Sequence, residues 1–145
     1  MEGIAMQISA RNVLAGTVKS VIKGAVNAEV ALALEGGEAV VAVITNSSAD
    51  SLGLEPGKSA YAVIKASEVM IGVGVAASTI SARNVLAGEV ANLQPGSVNC
   101  EVEIQLAGGT KVVASITKAS VERLQLHPGV KVSAIVKASN VLVGV

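Results

Sequence analysis

The nonapeptide Ile8-Ser9-Ala10-Arg11-Asn12-Val13-Leu14-Ala15-Gly16 recurs without a change as Ile80-Ser81-Ala82-Arg83-Asn84-Val85-Leu86-Ala87-Gly88. The same offset of 72 residues superposes Asn27 on Asn99, Gly36-Gly37 on Gly108-Gly109, Thr45 on Thr117, Pro56-Gly57 on Pro128-Gly129 and Lys65-Ala66-Ser67 on Lys137-Ala138-Ser139. No gap is needed and roughly half of the aligned positions are identical, so the chain is a tandem duplication with units Ile8 to Val73 and Ile80 to Val145.

Outward from the nonapeptide, Val13, Leu14, Val18, Val21 and Ile22 read as a strand that bulges at Gly16, and Lys23-Gly24 turns it. Val26, Ala28, Val30, Leu32 and Leu34 alternate with polar or smaller residues as a half-buried strand. Gly36-Gly37 predicts a hairpin into a strand at Val40 to Ile44. Asn46 to Leu52 then offers capping side chains followed by leucines, which predicts one or two helical turns. Pro56-Gly57 ends them, Ala60 to Lys65 is a strand, Ala66-Ser67 a break and Val69 to Val73 a last short strand. The second unit repeats this order, its helix carried by Ser120 to Leu126. The fold class is therefore all-β with one short helix per repeat: two tandem OB-like five-stranded β-barrels. A connection of a few small residues, Gly74 to Thr79, keeps the barrels side by side.

Units of this size bury only about 60% of their unfolded surface, and these must do so without Trp or Phe, so oligomerisation is expected. The apolar fraction of 51% is spread over short runs, the longest from Val69 to Ala77, well short of the roughly 20 residues that span a bilayer. Glu2 and the brief apolar start do not resemble a signal peptide, which leads to a cytoplasmic expectation, and Met1 and Met6 are both candidate starts. Lys+Arg and Asp+Glu both number 11, a balance that gives no electrostatic footprint for nucleic acid or anionic membrane. Cys100 aligns with Ala28 and reads as a small core residue, while His127 aligns with Glu55 before a Pro-Gly turn and reads as an exposed turn residue. No catalytic residue, cofactor or directly ligated metal cation is expected.

Polar identity inside a diverged repeat points to function. Arg11 and Arg83 stand in the unchanged nonapeptide, Lys65 and Lys137 in an unchanged Lys-Ala-Ser, and Thr45 and Thr117 end apolar strands. Guanidinium, ammonium, hydroxyl and backbone N–H groups form a set of donors with no acceptor, which suits a fully deprotonated oxyanion. Charge-assisted hydrogen bonds of about 1.5 to 3 kcal/mol each offset the desolvation of such an anion. Molybdate, tungstate and sulfate meet the requirement, whereas phosphate near neutral pH keeps a proton that wants an acceptor.

The segments Ile-Ser-Ala-Arg-Asn-Val-Leu-Ala-Gly, Gly-Ala-Val-Asn-Ala-Glu-Val, Val-Ile-Thr-Asn and Val-Ile-Lys-Ala-Ser-Glu-Val-Met-Ile-Gly-Val resemble the molbindin (Mop) domain, here in its two-domain form. The resemblance runs from Gln7 to Val145 and implies Mop domains at 6–73 and 78–145 joined by a linker at 74–77. It implies an OB-like barrel, a homotrimer of two-domain chains, and binding of molybdate or tungstate for cytoplasmic molybdenum storage, buffering and homeostasis. It also implies interdomain oxyanion sites at Ser9, Ala10, Arg11, Thr45, Lys65, Ala66 and Ser67, and at Ser81, Ala82, Arg83, Thr117, Lys137, Ala138 and Ser139. The Ser-Ala-Arg segment of one domain is expected to face the Lys-Ala-Ser segment of another, pairing Arg11 with Lys137 and Arg83 with Lys65. A second kind of site is implied at Gly24, Ala25, Val26 and Asn27 and at Gly96, Ser97, Val98 and Asn99, near the three-fold axis.

The alternative is an OB-fold nucleic-acid-binding module. Such barrels stack bases on aromatics in a basic groove. Tyr61 is the one aromatic residue here, and Ser133 replaces it in the other copy. An enzyme needs a titrating or nucleophilic constellation, and neither Cys100 nor His127 has a repeated partner. Neither nucleic acid nor membrane is therefore expected as a partner.

Overall fold

The computed structural model describes residues 6–145. Met1 and Glu2, on which the readings of the chain start rest, lie outside the described residues. The first repeat forms β1 (Asn12–Lys23), β2 (Asn27–Leu34), β3 (Ala39–Thr45), α1 (Asn46–Ser51), β4 (Ser59–Ile64) and β5 (Met70–Gly72). The second forms β6 (Asn84–Pro95), β7 (Asn99–Leu106), β8 (Lys111–Thr117), α2 (Lys118–Arg123), β9 (Lys131–Val136) and β10 (Leu142–Gly144). The element order is the one that the periodicity predicts.

Strand exchange joins the two halves. The sheets run β10-β4-β1-β2-β3 and β5-β9-β6-β7-β8, so each takes its fifth strand from the other repeat. Leu142, Val143 and Gly144 pair antiparallel with Val63, Ala62 and Tyr61, and Met70, Ile71 and Gly72 pair with Ile135, Ala134 and Ser133. Each sheet curls until its edge strands approach, β10 near β3 and β5 near β8. Three residues of strand carry no sequence signal for which sheet they join, because both repeats present the same edge at β4 and β9. The exchange makes each barrel depend on the other's chain.

Alternation of burial along β2 puts Ala28, Val30, Leu32 and Leu34 inside, and Cys100, Val102, Ile104 and Leu106 occupy the same places on β7. Cys100 is buried in the position of Ala28, and His127 is exposed. One continuous apolar cluster spans both repeats. No helix among the described residues is long and apolar enough to cross a membrane.

Two local readings change. The bulge expected at Gly16 lies between Val18 and Ser20, and its counterpart between Val90 and Asn92. Gly16 serves close approach instead: a Cβ there would lie 2.6 Å from the Ala33 carbonyl oxygen, and one at Gly88 would lie 2.5 Å from that of Gln105. The hairpin tips pack on each other, where a Cβ on Gly108 would lie 2.0 Å from the Gly36 carbonyl oxygen and the Gly108 N–H donates to Glu38 Oε2 at 2.8 Å. Tandem barrels thus share an interface of strands, tips and core.

Candidate functional site

Two cavities gather most of the residues expected to bind an oxyanion. The first, about 570 Å³, is lined by Ser9, Ala10 and Arg11 ahead of β1 and by Lys65, Ala66 and Ser67 after β4, with Ser139 and Asn140 arriving from the other repeat. The second, about 390 Å³, brings Ser81, Ala82 and Arg83 together with Lys137, Ala138 and Ser139. Antiparallel pairing of Asn12 with Ile64, and of Asn84 with Val136, causes this convergence, because it sets the start of β1 beside the end of β4 and that of β6 beside β9. Within the chain the partners are therefore Arg11 with Lys65 and Arg83 with Lys137. The expected pairings between domains, Arg11 with Lys137 and Arg83 with Lys65, concern the assembled protein, and the register inside each repeat sets only the pairing within one chain.

The Lys-Ala-Ser segments open 3-10 turns at Ala66–Glu68 and Ala138–Asn140, and neither Lys65 nor Lys137 caps its turn with a side-chain hydrogen bond. The leading N–H groups of such a turn have no carbonyl of the turn to bond, so they are donors available at the cavity wall. Neither lysine makes an ion pair among the described residues.

The arginines differ from the expectation of donors without acceptors. Arg11 Nη1 lies 2.5 Å from Glu101 Oε2, and Arg83 Nη1 lies 2.9 Å from Glu29 Oε2. Both pairs cross between repeats, and Glu29 and Glu101 are equivalent positions on β2 and β7. A carboxylate on a strand of the other repeat was invisible in the local sequence.

Asn12 and Asn84, which follow the two Ser-Ala-Arg segments, line neither cavity and were not among the expected site residues. Each is only 2% exposed. Asn12 Nδ2 donates to the Val113 carbonyl at 2.8 Å while the Val113 N–H donates to Asn12 Oδ1 at 2.7 Å. Asn84 makes the same two bonds with Val41, both at 2.8 Å. Each amide thus imitates one rung of a β-ladder on the other repeat's third strand. Retention of the nonapeptide therefore combines a cavity segment, Ser-Ala-Arg, with a clamp, Asn, a core Leu and a close-packed Gly. The sequence signal for such a clamp is Asn at the head of an otherwise apolar strand start.

Thr45 and Thr117 line neither cavity. Each is the N-cap of a helix, accepting from the Ser48 and Ser120 N–H groups at 3.0 and 3.1 Å and donating to their hydroxyls at 2.9 Å. At the second kind of site, Gly24 and Asn27 line a cavity of about 270 Å³ with Glu29, and Gly96 and Asn99 line one of about 560 Å³ with Glu101. Ala25, Val26, Ser97 and Val98 do not line these cavities. Val26 and Val98 stand at the turn tips, 69% and 70% exposed.

Comparison with known proteins agrees with this architecture. The TOBE domain family matches the chain twice, over residues 8–71 and 80–143. The molybdenum-pterin-binding protein MopA of Rhodobacter capsulatus is 46% identical over 139 residues, which is 96% of this chain and 52% of MopA. The molybdenum transport protein ModE of Azotobacter vinelandii is 39% identical over 145 residues, 100% of this chain and 53% of that protein. The chain thus spans about half the length of these curated relatives. A solved structure of the cytoplasmic molybdate-binding protein ModG, in a form with molybdate bound, superposes with a TM-score of 0.91 at 48% identity, covering 97% of this chain and 99% of that one. Two matches in tandem and a shared two-domain fold place the chain in the TOBE-domain family, with two domains of the Mop type.

Proposed function

We propose that this protein binds molybdate, and tungstate with it, and serves in the storage and buffering of molybdenum in the cytoplasm. The observation that carries the proposal is the convergence of Ser-Ala-Arg and Lys-Ala-Ser on one cavity wall, made twice by the fold. Each wall offers a guanidinium, an ammonium, hydroxyls and backbone N–H groups, in a cavity with ample room for a tetrahedral dianion. The relatives named above are binding or transport proteins, and none is named as an enzyme. Tungstate follows molybdate because the two tetrahedra are nearly the same size. Sulfate, with shorter bonds, reaches fewer fixed donors at once.

Assembly as a homotrimer belongs to the same proposal. The cavities have apolar rims, Ile8 and Leu142 at one and Met70 and Ile80 at the other, all exposed in the single chain. Val26 and Val98 add a repeated pair of exposed apolar tips. Surfaces of this kind are covered when copies of the chain associate. Sedimentation equilibrium at micromolar concentration tests the assembly, and a stable monomer would refute it.

Binding is tested by equilibrium dialysis of molybdate with sulfate as competitor. Molybdate should be retained in the presence of equal sulfate, and equal competition by sulfate would overturn selection by size. Site composition is tested by double substitution. Arg11→Ala with Lys65→Ala should remove one set of cavity sites, whereas Arg11→Ala with Lys137→Ala should damage both sets. The opposite pattern would mean that neighbouring chains in the assembly supply the lysine.

A further inference from the structure

The two cavities differ by one carboxylate. Glu68 lines the Arg11 cavity beside Asn140, whose Nδ2 donates to Glu68 Oε2 at 3.0 Å across the repeat boundary. These residues occupy equivalent positions of the duplication, so a contact that symmetry would make between like residues is made between an acid and an amide. Neither lines the Arg83 cavity, whose polar wall is Ser81, Arg83, Lys137 and Ser139 against apolar Val43, Met70 and Ile80.

Glu68 is half-buried and makes no ion pair with Arg11 or Lys65 among the described residues. A neutral amide holds it, which leaves its charge uncancelled within the cavity. The first wall therefore presents two cations and one anion, and the second presents two cations alone. The cross-repeat partners of the arginines, Glu101 and Glu29, stand at equivalent positions and do not distinguish the cavities.

We infer that the duplication has made the two anion sites unequal, with Glu68 weakening the Arg11 site and leaving the Arg83 site the tighter of the two. This rests on the proposed binding of an oxyanion dianion at these cavities. A single charge acting on a dianion across a partly buried site shifts affinity on the order of tenfold. In an assembly of single repeats every copy must carry the same residue at this position. A tandem chain is free of that constraint, and a store with two affinities fills over a wider range of oxyanion concentration than a store with one.

Titration calorimetry of molybdate into the wild-type chain in its native assembly should resolve two classes of cavity site about tenfold apart. Arg11→Ala should remove the weaker class and Arg83→Ala the tighter. Glu68→Asn, which gives the first repeat the residue of the second, should tighten the weaker class until the two merge, and Glu68→Gln should do the same with the side-chain length kept. A single class in the wild type, or two classes still as far apart in both Glu68 variants, overturns the inference. Failure of the wild type to take up molybdate overturns the binding reading itself, whereas uptake without two classes overturns only the inequality.

Discussion

Asn12 and Val113 stand 101 residues apart in the chain and exchange two hydrogen bonds, at 2.8 and 2.7 Å, through an amide that is almost wholly buried. Removing it leaves the Val113 N–H and carbonyl without their partner at the boundary between repeats. We expect Asn12→Ala to lower unfolding stability by about 2 to 4 kcal/mol. Asn84→Ala, which strips Val41, should cost a similar amount. Urea unfolding gives the check, and a midpoint within error of the wild type would show that water replaces the clamp.

Truncation after Val141 removes β10, whose partner is β4 of the first repeat. Hydrogen exchange should then accelerate at Tyr61 to Val63, while β9 keeps its protection from β5 and β6. Faster exchange confined to Lys131–Val136 would contradict the strand exchange.

Gln125 holds a left-handed backbone, with φ of 54°, where the first repeat has Gly53 at 62°. Side chains other than glycine are disfavoured there by about 1 to 2 kcal/mol, part of which returns as the greater entropy lost by glycine on folding. Gln125→Gly should therefore raise stability by about 0.5 kcal/mol, and Gly53→Ala should lower it by about 1 kcal/mol. Thermal unfolding of the two variants decides whether the signs are opposite, as expected.

Glu101 and Glu29 hold the guanidiniums that an oxyanion would use. Neutralising them frees each arginine without altering the other lining residues of the Arg11 and Arg83 cavities, although Glu29 and Glu101 do line the two cavities of the second kind. Because both pairs are half-exposed, the gain is modest, and Glu101→Gln with Glu29→Gln should tighten molybdate binding by about two- to fivefold. Weaker binding in the double variant, measured by calorimetry at fixed ionic strength, would show that the carboxylates orient the arginines for the anion rather than compete with it.

Much of this was legible in the chain itself. The unchanged nonapeptide and the offset of 72 reveal the duplication, alternation at Val30, Leu32 and Leu34 reveals the strands, and the retained Arg11 and Lys65 mark the cavity wall. These readings work because local periodicity and side-chain chemistry are properties of short segments. Tertiary structure alone decided that Met70–Gly72 and Leu142–Gly144 change places, that Arg11 meets Glu101, that Asn12 clamps Val113, and that Thr45 caps a helix instead of lining a cavity. Each depends on which of two nearly identical repeats supplies the partner. Three residues of strand, or one carboxylate among eleven acidic residues, fit either copy equally well until the barrels are packed against each other.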